Sequence, residues 1–274
     1  MCEDIVLLLT GTIKVGDKKL AKRNDERQRL NDYKLALRKW IESQSAIKNI
    51  VFVENSGYPL NELEEIAKDN EHGICVDFIS FNQNGRYHGK GKSYGEICLI
   101  EYAHEHSRAL KKCKYFIKVT GRLFVRNFES IVRSLPSEYD FVCNFSNNLA
   151  YIDTTIVGFR SEVYIKRIHQ YAAKNVCDEE KEYIERVFAK AILMSIACDY
   201  RWYPLLPVPI IEGMSGTKNK PYTQGRVRSI KGTILSRLFH DFNRTSYGLN
   251  KPHILEIWKK PPTDLHSNSD NAFV

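Results

Sequence analysis

Three observations predict an α/β fold: a mixed sheet flanked by helices, in one domain with a basic helical extension at the C-terminus. Short, mostly apolar runs recur at Asp4–Leu9, Ile50–Val53, Val76–Phe81 and Tyr115–Val119, and the first, second and last have the pattern of strands buried on both faces. Segments with apolar residues at helical spacing lie between them. Several runs end directly in small polar turns, and open α/β sheets collect their ligands outside the carboxyl ends of strands.

The totals narrow the class. With 274 residues, 43% of them hydrophobic and 27% charged, the chain can bury a sizeable core and is not a disordered protein. Nowhere does an apolar run approach the roughly 18 residues that cross a bilayer. The opening Met1-Cys2-Glu3-Asp4 is acidic, and Ile5–Leu9 is too short for a signal peptide. A cytoplasmic protein is expected. The seven cysteines contain no C-x-x-C pair and sit mostly in apolar segments, as reduced core residues do. A net charge of +8 calls for an anionic partner. No helix-turn-helix, zinc-finger or RNA-binding signature accompanies it, so nucleic acid is not the expected one.

In chain order, Asp4–Leu9 predicts a central strand that runs into Thr10-Gly11-Thr12, a turn that lets backbone approach a ligand closely. Leu30, Tyr33, Leu37, Trp40 and Ile41 form the apolar face of a helix over 25–44; Arg23 and Arg27 at its entrance are weak phosphate candidates. Ile50–Val53 is the second strand, and Glu54, Asn55 and Ser56 stand at its carboxyl end as candidate ligand contacts. Val76–Phe81 is the third. The polar segment 82–96 that follows carries Arg86, His88, Lys90 and Lys92 and leads into a helix at about Tyr94, where a phosphate could sit on the helix N-terminus. Ile97–Leu110 continues as helix, with His104 and His106 facing solvent.

The stretch Lys114–Leu135, KYFIKVTGRLFVRNFESIVRSL, organises the chain. It reads as a buried strand, a polar turn Thr120-Gly121-Arg122, an apolar bend Leu123-Phe124-Val125, and a helix from Asn127. Strands follow over Tyr139–Phe145 and Ile152–Tyr164, then a long amphipathic helix over Asn175–Ala197 led by Asp178, Glu179 and Glu180. Acids at a helix start are favourable through the dipole alone. Tyr203–Pro209 is extended. The loop beyond it carries Gly213, Ser215, Gly216, Thr217, Lys218 and Lys220, whose amides, hydroxyls and ammonium groups suit a diphosphate. A basic helix at 230–239 and a polar tail from Pro261 end the chain. Arg226, Arg228, Lys231, Arg237, Lys259 and Lys260 suit contact with an anionic membrane surface.

In order and make-up these motifs resemble nucleotide-sugar glycosyltransferases of the GT-A type, of the kind found in bacterial capsule or lipopolysaccharide synthesis. The resemblance runs nearly the length of the chain and implies a GT-A-like, Rossmann-related sheet. It implies a donor half over 1–135, an acceptor and catalytic half over 136–228, and a basic helix and tail over 229–274. It further implies a nucleotide-sugar donor (UDP-linked), a glycan or lipid-linked glycan acceptor, and a place at the inner face of the membrane. Thr10, Gly11 and Thr12 would meet base and ribose; Lys90, Lys92 and Glu96 would lie over the donor. A family member usually carries Asp-x-Asp after the central strand to hold a divalent metal. Thr120-Gly121-Arg122 has no carboxylate there, so no metal cofactor is expected. Arg122, with Lys118, Lys218 and Lys220, would meet the diphosphate, since Arg offers phosphate a planar fork of donors. The resemblance also implies an inverting reaction whose base is a carboxylate at the start of the helix, Glu180 or Glu182 first, then Asp178 or Glu179. Asp153 would bind acceptor hydroxyls. Two other functions fit an anion-binding α/β chain: a non-catalytic nucleotide- or nucleic-acid-binding module, and a nucleotidyltransferase.

Overall fold

The structure, a computed structural model, describes residues 5–16, 22–43, 47–68, 70–83, 90–217, 219–222 and 230–234. Arg86, His88, Lys218 and the basic residues at 226, 228, 237, 259 and 260 lie outside the described residues, as does the tail.

The first strand, β1 (Ile5–Gly11), is buried along its whole length. Its side chains alternate between two cores. Ile5, Leu7 and Leu9 join Tyr33, Trp40, Phe52, Ile117 and Phe128 on one face; Val6 and Leu8 join Val53, Phe116, Phe159, Tyr164 and Phe188 on the other. A strand apolar at every position is therefore a strand covered twice. The first core is covered by α1 (Glu26–Ser43) and α5 (Phe128–Ser134). The second lies under α3 (Gly91–His106), α7 (Gln170–Asn175) and α8 (Ile184–Ile196).

The parallel half of the sheet is β1, β2 (Asn49–Glu54), β3 (Cys75–Ser80) and β4 (Tyr115–Thr120). Helix α2 (Asn61–Lys68) connects β2 to β3. On the far side of β4 runs β9 (Ile156–Arg160), antiparallel to it, followed by β6 (Phe141–Val142) and β10 (Trp202–Tyr203). The order is β10-β6-β9-β4-β1-β2-β3: the expected mixed sheet with helices on both faces. Two small ribbons are added, β5 (Leu123–Val125) with β11 (Ile211–Gly213), and β7 (Phe145–Ser146) with β8 (Tyr151–Ile152).

The chain steps outward from β1 to β3 and then returns to β4 on the other side of β1. That reversal is the switch point at which open sheets leave a crevice for ligands. Thr10 pairs with Thr120 across it, so the Thr10-Gly11-Thr12 and Thr120-Gly121-Arg122 turns leave the sheet side by side. Trp40 braces the second turn: its indole nitrogen donates to the Leu123 carbonyl at 2.8 Å, and its ring meets Phe124 and Phe128 edge-on, with centroids 4.9 Å apart in each pair.

Several sequence expectations change. The expected helix over Asn175–Ala197 begins at Ile184. Before it, Cys177 and Glu182 exchange backbone hydrogen bonds across a tight turn with Lys181 in the left-handed region, at φ 60°. The acids at 178–180 occupy that turn and do not lead α8; Asp178 instead accepts the Ser93 amide at the start of α3. Helix α3 starts at Gly91, earlier than Tyr94, and breaks at Ser107, whose hydroxyl caps a short α4 (Arg108–Lys112). His104 turns inward, its ring edge-on to Phe116 at 4.8 Å, and burial followed by the charge of His169 lowers its pKa to about 4. His106 stays exposed. The single strand expected over Tyr139–Phe145 is divided between β6 and β7, and that over Ile152–Tyr164 between β8 and β9. The latter runs on into α6 (Ser161–Val163) and a π-helical turn, Tyr164–His169.

Candidate functional site

The floor of the crevice is two glycines against two rings. A Cβ on Gly11 would stand 3.1 Å from Phe52 and 3.3 Å from Tyr33; one on Gly121 would stand 3.0 Å from the Thr10 carbonyl and 3.2 Å from Phe52. Gly121 donates its amide to that carbonyl at 2.8 Å. A side chain at 121 would push the two turns apart, and one at 11 would press on the two rings.

On the α1 side, the Tyr33 hydroxyl accepts from the Thr12 amide at 2.9 Å, and Arg29, buried, donates to the Thr12 carbonyl at 2.7 Å. The Thr12 hydroxyl donates to Asn55 at 2.7 Å, and Asn55 to Gln83 at 2.7 Å. These bonds hold a pre-formed polar turn at the end of β1. Tyr33, Arg29 and Gln83 escaped the sequence reading. Tyr33 counted only as helix core, although Arg29 one turn earlier and on the same face was a visible signal. Glu54, expected to meet a ligand, is wholly buried. Its carboxylate accepts the amides of Ile13 at 2.9 Å, Ser56 at 2.9 Å and Tyr58 at 3.0 Å, and the Ser56 hydroxyl. Those bonds shape the loops and leave Glu54 facing away from solvent, with Ser56 beside it. Arg23 is ion-paired with Asp32; that bond raises its pKa, against burial.

On the α3 side, Lys118 is 2% exposed. Its ammonium is ion-paired with Glu96 and donates to the Thr154 carbonyl at 2.8 Å. Glu96 also accepts from the Thr10 hydroxyl at 2.8 Å. Burial pushes the Glu96 carboxyl up, but the charge and hydrogen bond of Lys118, then Thr10 and the charge of Lys92, hold it below the ordinary carboxylate range. Lys118 was expected at the diphosphate; here its contacts are internal. The Thr154 hydroxyl lies 3.5 Å from Glu185, a half-buried carboxylate near this pair and the last acid of the stretch Asp178–Glu185 in which the resemblance implies the base.

The helix N-terminus expected to take phosphate already carries an anion. Asp178 accepts the Ser93 amide at 3.2 Å and donates its own amide to the Lys90 carbonyl at 3.2 Å. Lys90 turns to the Ala173 carbonyl at 3.1 Å. Glu182 is paired with Lys190 at 2.8 Å and Arg186 at 3.2 Å, Glu179 and Glu180 are exposed, and Asp153 is an exposed turn residue accepting from the Thr155 amide at 2.8 Å.

The C-terminal loop does come to the crevice. Arg122 donates from Nε to the Met214 carbonyl at 2.9 Å, Arg23 donates its amide to the Gly216 carbonyl at 3.2 Å, and Lys92 reaches the Thr217 hydroxyl at 3.3 Å. Ser215 donates its amide to the carbonyl of Lys220 at 2.9 Å, closing the loop on itself; the Lys220 side chain is exposed. Among the described residues, no carboxylate is paired with Arg122. A divalent metal does not fit this turn. Thr120-Gly121-Arg122 offers no carboxylate, the nearby Glu96 is engaged by Lys118, and no described cluster of His, Cys, Asp or Glu is placed to hold a metal. The described helices include none long and apolar enough to cross a membrane. A groove between α1 and α2, lined by Lys34, Arg38, Ile41, Glu42, Glu62, Glu65 and Ile66, lies apart from these residues.

No family model and no curated protein matches the chain. Among solved structures, the glycosyltransferase GlyE of Streptococcus pneumoniae TIGR4 is similar at 13% identity and a TM-score of 0.49, over 83% of this chain and 59% of GlyE. The mannosyltransferase PcManGT of Pyrobaculum calidifontis, in complex with GDP-Man and Mn2+, is similar at 8% identity and a TM-score of 0.44, over 89% of this chain and 65% of its own. A cytidylyltransferase of Leptospira borgpetersenii is similar at 14% identity and a TM-score of 0.43, over 74% and 75%. This chain thus spans less than two thirds of the length of the first two.

Proposed function

We propose that this chain is a glycosyltransferase that moves a sugar from a nucleotide-sugar donor, UDP-linked, to a hydroxyl of a glycan or lipid-linked glycan in surface-polysaccharide synthesis. The observation that carries the reading is Arg122: a half-buried guanidinium with no described carboxylate partner, at the switch point, beside the preformed Thr10-Gly11-Thr12 turn. In the reaction, the acceptor hydroxyl oxygen attacks the anomeric carbon and its proton passes to a carboxylate. The bond from the anomeric carbon to the β-phosphate oxygen breaks, and the nucleoside diphosphate leaves with the electron pair. Charge grows on that leaving group, where a fixed guanidinium in a partly dry site stabilises it without reorganising. Hence the transfer needs no metal. Thr10, Gly11, Thr12 and Asn55 would meet the nucleoside, and Arg122, Ser215, Thr217 and Lys92 the diphosphate, with Gly216 packed against Arg122. Lys218 and Lys220 remain candidates there. For the base, the stretch Asp178–Glu185 is retained, with Asp153 next. Glu185 leads because its hydrogen-bonding neighbour Thr154 also binds Lys118, whereas Glu182 is neutralised by Lys190 and Arg186.

A panel of nucleotide sugars with sugar acceptors tests this, with thermal stabilisation and donor hydrolysis measured with and without EDTA. Turnover that survives chelation is expected, and Glu185→Gln should lower it by roughly 10²–10⁴-fold while donor affinity holds. Activity that collapses under EDTA and returns with manganese would overturn the metal-free mechanism. Pyrophosphate release from a nucleoside triphosphate, with no sugar transfer, would replace the reading with nucleotidyl transfer.

A further inference from the structure

Arg122 does not sit loosely in its crevice; two glycines of the C-terminal loop fit around it. Gly213 pairs with Leu123 in the β5–β11 ribbon at φ +125°, and a Cβ there would stand 2.7 Å from the Arg122 carbonyl and 2.8 Å from the Leu123 side chain. Gly216 is buried, and a Cβ there would stand 2.9 Å from Nη2 and 3.0 Å from Cζ of the guanidinium. Between them Met214 takes the Nε hydrogen at 2.9 Å. A carbonyl behind Nε and bare backbone against the terminal nitrogens restrict the side chain without neutralising it. Real Cβ atoms essentially never approach heavy atoms within 3.0 Å, so any other residue at 216 would displace the guanidinium or the loop.

We propose that Gly216, with Gly213 behind it, is a positioning residue: it holds the Arg122 fork in the one orientation that receives a diphosphate oxyanion. The proposal rests on the anion-binding role given to Arg122 above. It makes the loop residue and the turn residue one device, although 94 positions separate them in the sequence (216 − 122). The main consequence is non-additivity. A residue that acts only by aiming Arg122 has nothing to aim once Arg122 is gone.

The test is a cycle of Gly216→Ala and Arg122→Ala, with inorganic pyrophosphate and UDP as separate probes and calorimetry as readout. No left-handed φ marks residue 216, so its backbone accepts alanine; thermal melts confirm that each variant folds. Gly216→Ala should weaken pyrophosphate roughly tenfold to hundredfold, the effect of losing one charge-assisted hydrogen bond. It should weaken it no further in the Arg122→Ala background. In the Arg122→Lys background, where no guanidinium meets the new methyl, the same change should cost little. Equal losses in every background, or none in any, would overturn the proposal, as would a wild-type protein that takes up neither probe. The cycle fails separately from the transferase reading: a coupled cycle without sugar transfer defeats only the reaction, and sugar transfer with additive losses defeats only the device.

Discussion

Two cations stand at the end of β4 and are treated in opposite ways. Lys118 points toward α3, is almost wholly buried, and is matched by the Glu96 carboxylate and the Thr154 carbonyl. Arg122, in the turn beyond the strand, is half-buried and donates to the neutral Met214 carbonyl. A cation enclosed with its counter-ion ties elements together and has little field left for a ligand. One held by a neutral acceptor is fixed in place and keeps its charge. The first therefore suits stability, and the second is the one we propose for binding, although the family resemblance implied both at the diphosphate.

The largest effect should come from breaking the enclosed pair. Lys118→Met strands the Glu96 carboxylate in a partly dry site, and removing one partner of a buried pair destabilises by about 3–5 kcal/mol. Glu96 keeps a quarter of its side-chain exposure, so the lower end is expected, measured by denaturant unfolding. Adding Glu96→Gln to that variant should recover part of the loss. A Lys118→Met protein as stable as the wild type would erase the distinction between the two cations.

Arg122→Ala should do the reverse. Donor affinity should fall by about 1.5–3 kcal/mol, measured by calorimetry, while stability changes by less than about 1 kcal/mol. Large destabilisation with unchanged donor affinity would make Arg122 a structural residue like Lys118.

The smallest effect is the pH dependence. The folded Glu96 carboxyl lies below its unfolded value, so the unfolded state binds its proton first as pH falls. The stability it contributes is complete above the ordinary Glu value of about 4.3 and drains away below it, down through the lowered folded pKa. Melting temperature followed from pH 6 to pH 3 should drop less steeply in Glu96→Gln than in wild type. Parallel curves would mean that the pair carries no linkage.

Much of the fold was legible because its central strands are buried twice: Ile5–Leu9 is apolar without interruption, and Tyr115–Val119 is apolar but for Lys118. The turns at Thr10–Thr12 and Thr120–Arg122 were legible for the same reason, since they punctuate those runs. What could not be read was which way a polar group points. Lys118 looks available to a ligand until Glu96, on α3, is folded against it. The acids at 178–180 imitate a helix start, but the Cys177–Glu182 hairpin takes that backbone, and Asp178 caps a different helix. Glu54 stood at the right strand end, yet donors from Ser56 and Tyr58 nearby and from Ile13 and Ser80 far off in sequence claim its carboxylate. Periodicity reports burial of apolar surface; long-range polar pairing leaves no periodic trace.

The glycines under the crevice carry an evolutionary consequence. Gly11 and Gly121 lean on the same two rings, Phe52 and Tyr33, so these four positions are not independent letters of the sequence. An alanine at 11 would press first on Phe52 and Tyr33, and one at 121 on the Thr10 carbonyl and then on Phe52. Tyr33 cannot shift freely, because its hydroxyl carries the Thr12 turn. Phe52, packed on Tyr33 and Phe78, is the ring nearest to both glycines, so a change at either one is felt there.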